Sequence, residues 1–237
     1  MTTLTKVLIG LIFSVLLISC NFDLGVRGTG EVTRITQNVP TFNSIKASAG
    51  MNVFLTQGND QKVVVEANEN LHEIIDVYVK EEALIVTTKE NISFADARDV
   101  YVTFTEINSI TATSGSDVSA NEPLRIQTLQ LVSTSGADIK LTLNSQSISA
   151  KSTSGADIVL KGKTDKIDAT STSGADINAK ELIAKHANTT ATSGADIVVH
   201  ATETMQGTAN SGGDIRYVGN PVKLNIKDGV SGSVSKE

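Results

Sequence analysis

The sequence predicts an all-β protein: a parallel β-helix (β-solenoid) with about 19–20 residues per coil, preceded by a less regular β region. Three observations predict it. A motif Ser-Gly-x-Asp-(Ile/Val) recurs at Ser114–Val118, Ser135–Ile139, Ser154–Ile158, Ser173–Ile177, Ser193–Ile197 and Ser211–Ile215, and its successive aspartates lie 21, 19, 19, 20 and 18 positions apart. Between motifs the apolar residues alternate with period two, as in Ile139, Leu141 and Leu143, or Ile158 and Leu160. Aromatic residues make up only 4% of the chain and Trp is absent, which suits a narrow interior filled by Ile, Val and Ala.

The elements follow in chain order. Met1 to Cys20 has a basic residue, Lys6, then an apolar run from Val7 to Ile18 interrupted by Gly10 and Ser14. That run is too short to span a bilayer core, which takes about 20 apolar residues, and it reads as a secretory signal. Its end, Leu17-Ile18-Ser19-Cys20, is similar to the bacterial lipobox, so Cys20 is the expected lipid attachment site and residues 1–19 the removed signal peptide. Cys20 is also the only cysteine, which excludes internal disulfides and a Cys-based zinc cage. The expected location is the cell envelope, with the exported protein lipid-anchored at the outer membrane without spanning it.

Residues 20–29 read as a tether and residues 30–108 as an N-terminal β region. Val53 with Leu55, Val63 with Val65, Leu84 with Val86, and Val100, Val102 and Phe104 mark strands. Gln57-Gly58-Asn59-Asp60 reads as a hairpin turn, and Asn70 to Ile75 as one helical turn. Ala49-Gly50-Met51-Asn52-Val53 reads as a divergent relative of the later motif.

The repeat solenoid is expected over 109–237, closing on a decayed copy at Ser231-Gly232-Ser233-Val234. Val118, Ile139, Ile158, Ile177, Ile197 and Ile215 are expected to stack as one buried ladder, with Ala150, Ala169 and Ala179 suiting the narrow interior. The glycines are expected to supply a φ > 0 corner. Asp117, Asp138, Asp157, Asp176, Asp196 and Asp214 are then expected to face outward and form the candidate ligand face, flanked by Thr134, Thr153, Thr172 and Thr192. Carboxylates about 4.8 Å apart repel by roughly 0.9 kcal/mol per pair in water. Two remedies are open. Turn N–H groups and neighbouring hydroxyls can bond the carboxylates, or a cation such as calcium can bridge adjacent coils. Calcium-binding β-rolls repeat every nine residues with denser glycine, so no cofactor is the first expectation.

Chemistry-bearing constellations are few. His72, His186 and His200 lack metal-ligand spacing and read as surface residues, and Asp165 and Asp168 beside Lys163 and Lys166 read as a solvated loop. A formal charge of −6 disfavours nucleic acid as a partner. Every coil carries the same residues, whereas a catalytic site needs one unusual constellation, so no enzyme is expected and a polysaccharide-acting β-helix enzyme ranks last.

With these residues in view, the chain resembles the bacterial head GIN domain family of adhesin-type proteins, typically exported and commonly lipoproteins of Bacteroidetes. The resemblance rests on Phe42-Asn43-Ser44-Ile45, on Ala49 to Gly58, and on the Ser-Gly-x-Asp run; where the family commonly carries Gly-Gly-Ser-Asp, this chain mostly has Ser-Gly-Ala-Asp. It implies a β-helical fold and an envelope location, and it specifies no ligand. The functional expectation is a non-catalytic envelope lipoprotein that binds glycan or protein through a repetitive solenoid face. The alternative is a structural scaffold that self-associates end to end, which the charges of Ser235-Lys236-Glu237 on the last coil disfavour.

Overall fold

A computed structural model describes residues 25–237. Four long strands, Asp138–Thr153, Asp157–Thr172, Asp176–Thr192 and Asp196–Asn210, each start just after one Ser-Gly-x corner and run to the next. Each is parallel to the next and paired nearly residue for residue, so Asp138 lies over Asp157 and Ile139 over Ile158. A coil therefore has a first leg leading into the corner and a second leg leaving it. Among the described residues there is no α-helix, and the expected helical turn is a single 3₁₀ segment, Glu69–Glu73.

Unequal coil lengths are absorbed away from the corner. Pairing between Asp157–Thr172 and Asp176–Thr192 slips after Val159, and pairing with Asp196–Asn210 slips between Ala179 and Ile183. Extra residues form bulges on the second leg, where the chain faces solvent. The corners keep one register, and so does everything built on them.

The parallel stack is not confined to 109–237. Ser44–Ala47 pairs with Ser109–Thr113 on one side and with Ala83–Thr88 on the other. Asn52–Gln57 likewise lies between Asp117–Ala120 and Arg98–Phe104. The coil that comes first in sequence is thus second in space, inserted between residues 83–104 and the repeats. Three antiparallel strands finish that end: Ile75–Lys80 on Ala83–Thr88, Lys62–Asn68 on Arg98–Phe104, and Val32–Gln37 on Lys62–Asn68.

The expected hairpin at Gln57–Asp60 does not form. Strand Arg98–Phe104 sits between its two arms, parallel to one and antiparallel to the other. Val100, Val102 and Phe104 are fully buried there and extend the aliphatic ladder, a gain no direct hairpin would provide. Two strand spacings amount to about 9.6 Å, within reach of a four-residue link. A local turn signal cannot show that a third strand will enter.

The expected inward ladder is present: Val118, Ile139, Ile158, Ile177, Ile197 and Ile215 are each no more than 1% exposed, and Val53 and Val100 continue it. Ala150, Ala169 and Ala179 are buried as expected. A second inward row, Ser133, Ser152 and Ser171, gives way to Ala191 and Ala209.

Candidate functional site

Each corner turns on two consecutive left-handed residues. The glycines from Gly115 to Gly212 have φ of 65 to 76°, as expected, but the preceding serines are left-handed too, at 50 to 59°. Sequence reading assigned the strain to glycine alone. The third residue is buried (Ala137, Ala156, Ala175, Ala195, Ser116), which explains why the variable position of the motif accepts only small residues. The corners form ladders of their own. Gly136 N–H donates to the Ser154 carbonyl at 3.2 Å, and Asp157 N–H donates to that of Ala137 at 3.0 Å. Buried hydroxyls of Ser133, Ser152 and Ser171 donate to the carbonyls of Ala137, Ala156 and Ala175 at 2.6, 2.5 and 2.6 Å. These bonds satisfy polar groups that burial would otherwise penalise.

Outside this frame stand two rows. One is hydroxylic: Thr134, Thr153 and Thr172 lie 3.4 Å from the hydroxyls of Ser135, Ser154 and Ser173, and Thr192 lies 3.5 Å from that of Ser193. The other is the aspartate ladder. All six aspartates stack in register from Asp117 to Asp214, half-buried or exposed.

The ladder is longer than the motif. Asn52 lies between Asp117 and Asp99, and its amide donates to Asp99 Oδ1 at 2.8 Å. At the other end Ser233 Oγ donates to Asp214 Oδ1 at 2.6 Å. The relation of Ala49–Val53 to the later motif was the one signal for this extension, and Asp99 gave none.

Local bonds answer part of the repulsion. Lys140 Nζ reaches Asp138 Oδ2 at 2.8 Å, and Asp196 N–H donates to Asp176 Oδ1 at 3.3 Å. At the corners from Ser114 to Ser193 the neighbouring Ser and Thr hydroxyls pair with one another instead. Among the described residues, no group of three or more His, Cys, Asp or Glu is arranged to hold a metal ion.

Asp117, Asp157 and Asp196 are each raised from the ordinary aspartate value, by burial first and by adjacent carboxylates second: Asp138 for Asp117, Asp138 and Asp176 for Asp157, Asp176 and Asp214 for Asp196. A carboxyl whose pKa is raised on folding stabilises the fold below its unfolded value, and that stabilisation is lost as pH rises through the folded value. Glu66, bonded to Arg34, and Glu237, bonded to Lys180, are lowered and act in the opposite sense. We therefore expect Asp157→Asn/Asp196→Asn to raise the melting temperature at pH 7 and to lose that advantage as pH approaches 4. Thermal melts of variant and wild type across this range check it, and an advantage that grows on acidification would refute it.

The other sequence-stressed residues lie elsewhere. Cys20 is outside the described residues. His72 is half-buried rather than on the surface: the 3₁₀ turn packs it against Val32–Gln37, with Nε2 3.0 Å from Thr33 Oγ1 and Nδ1 buried without a partner. His186 is exposed and His200 half-buried. Asp165 and Asp168 form solvated ion pairs with Lys185 and Lys166, each at 2.7 Å. Among the described residues, no helix is long and apolar enough to cross a membrane.

A putative adhesin from Bacteroides fragilis has the same fold, with a TM-score of 0.83 and 21% identity over 90% of this chain and 100% of that one. Another from Parabacteroides distasonis aligns with a TM-score of 0.73 and 22% identity, over 90% and 99%. A putative lipid binding protein from Parabacteroides distasonis aligns at 0.70 and 14% identity, over 90% and 99%. No match is found among curated proteins. Residues 41–221 match the family described as "Putative auto-transporter adhesin, head GIN domain", and the chain belongs to that family.

Proposed function

We propose that the protein is a non-catalytic adhesin of the cell envelope, anchored in the outer membrane through lipid on Cys20, which binds glycan or protein through the Ser-Gly-x-Asp edge. One observation carries the reading. Hydroxyl pairs and carboxylates recur in register, coil after coil, on a frame whose own polar groups are already satisfied. Such a row presents one chemistry at a fixed spacing of about 4.8 Å, which suits extended or repetitive partners. The adhesin description of the family points the same way.

The test is a glycan array and a pull-down from envelope extracts with the purified protein. Asp138→Ala/Asp157→Ala/Asp176→Ala, still folded by circular dichroism, is expected to lose the bound partner, and retention of full binding would sink the face. Turnover of a polysaccharide by the purified protein would overturn the non-enzyme reading. A melting temperature raised more by calcium than by magnesium would make the ladder a cation site. The anchor is tested separately: a palmitate analogue should label the wild type and leave Cys20→Ala unlabelled and released from membranes.

End-to-end assembly is the second reading. In the last described coil, Lys223–Asp228 and Ser233–Lys236 are each paired on one side only, with Val222 and Val230 86% and 87% exposed beside them. Sedimentation of the purified protein as a monomer at high concentration would remove it.

A further inference from the structure

At the far end of each second leg, opposite the Ser-Gly-x-Asp corner, the chain turns back into the next first leg. The turns there do not pack flush. They leave a row of hollows along the stack, one of them a cleft of about 570 Å³ between Asn43 and Thr128. The cleft shares Asn43, Thr105 and Glu106 with a hollow on the N-terminal side, and Arg125, Ile126 and Gln127 with one on the C-terminal side. The latter shares Asn144 and Ser145 with the next hollow along. Neighbouring hollows thus follow one another across several coils.

Its floor is fixed before any ligand arrives. Ile107 and Ile126 are buried beneath it. The Gln57 side chain clamps the Arg125 main chain from both ends, donating to its carbonyl at 2.9 Å and accepting from its N–H at 2.8 Å. Asn144 and Gln127 carbonyls accept from Ile126 N–H and Gln146 N–H at 3.1 and 2.9 Å. The rim is different. Glu106, Asn108, Arg125, Gln127, Asn144 and Gln146 are exposed, and none of these side chains has a hydrogen-bond partner among the described residues. The floor is preorganised, and the rim offers amide, guanidinium and carboxylate groups not committed within the protein.

The chemistry selects the ligand class. A side-chain amide both donates and accepts, a guanidinium donates in a planar fork, and a carboxylate accepts. Together they match a surface of hydroxyls, each of which does both. A peptide adding as a strand needs a free sheet edge. Here Asp138–Thr153 is already paired on both sides, with Thr128–Thr134 and with Asp157–Thr172. A polyanion would meet Glu106, Glu82 and Asp60 along the same path.

We propose that this groove binds a segment of an extended, uncharged polysaccharide lying along the solenoid axis, with Arg125, Gln127 and Asn144 as its central contacts. The inference rests on reading the protein as a binding module, and it adds a second site for a neutral glycan on the edge opposite the aspartates. The groove's one aromatic residue, Phe42, is buried, so sugar rings have no stacking platform. Hydrogen bonds carry the contact, each weak alone, and several coils acting on one polymer add up.

The experiment is affinity electrophoresis and calorimetry of the purified protein with dextran, mannan and laminarin, and with heparin and gelatin as charged and polypeptide comparators. At least one neutral polysaccharide should bind. Gln127→Ala/Asn144→Ala should weaken it about tenfold or more with an unchanged melting temperature, as loss of two ligand hydrogen bonds implies. Arg125→Ala serves as a second variant should the first melt early. Asp138→Ala/Asp157→Ala/Asp176→Ala, measured beside them, tells the two edges apart. Loss in the aspartate variant with none in the groove variants would overturn the groove and leave the binding-module reading standing. Binding of no neutral polysaccharide, or of heparin or gelatin in the groove instead, would overturn the ligand class.

Discussion

Ile158→Asp is expected to destabilise the protein by more than about 4 kcal/mol, a large fraction of the stability of an ordinary domain. Ile158 is fully buried, with Ile139 below and Ile177 above in the same row. Replacing it removes the transfer free energy of a large aliphatic side chain, about 1.5–3 kcal/mol. It also places a carboxylate among apolar neighbours with no partner, which either costs several kcal/mol or forces protonation. In a solenoid each coil is held mainly by its two neighbours, so one failed coil separates the stack into two shorter pieces. Urea titration should show a large fall in the midpoint, or a second transition as the halves unfold separately. Asp157→Asn, one residue earlier, should leave the midpoint level or slightly raised at pH 7, because it removes a charge that its neighbours oppose. Equal losses from the two substitutions would mean that the facing of the ladder is wrong.

The contrast between those two residues was legible in the sequence because strand side chains alternate with period two and the motif fixes the phase. The same logic located the whole inward ladder from Val118 to Ile215. What escaped were the features set by non-neighbouring segments. Nothing local announces that Arg98–Phe104 will enter beside Asn52–Gln57, because the apolar alternation of Val100, Val102 and Phe104 fits any half-buried strand. For the same reason Asp99 could not be recognised as a rung of the ladder.

The site was legible to a similar degree. A motif repeated at near-constant spacing had to become a row, so the outward aspartates and threonines were readable. The polar groove opposite was not. Its residues come from turns with no shared motif: Glu106 and Asn108 precede one coil, Arg125 and Gln127 end it, and Asn144 ends the next. Only stacking brings them to one line. The left-handed serines escaped for another reason, since serine has no preference that marks it for φ > 0.

Gly162→Ala is expected to be far more damaging than Gly155→Ala, at about 3 kcal/mol or more against about 1 kcal/mol. Sequence alone ranks them the other way, since Gly155 belongs to the repeated motif and Gly162 does not. The surroundings reverse the order. Gly155 stands at φ 66° in open space, with nothing within 4 Å of where a Cβ would lie, so alanine meets only the modest penalty of the left-handed region that Ser154 beside it already bears. Gly162 has φ 111°, which L side chains seldom adopt, and its added Cβ would come within 2.1 Å of the Leu143 carbonyl oxygen. That oxygen belongs to the coil below, where Leu143 pairs with Gly162, so relief requires two coils to move apart rather than one side chain to rotate. Thermal melts of the two variants decide it. Gly155→Ala should remain close to wild type, and Gly162→Ala should melt well below it. A Gly162→Ala protein as stable as Gly155→Ala would mean that the second leg does not hold this backbone path.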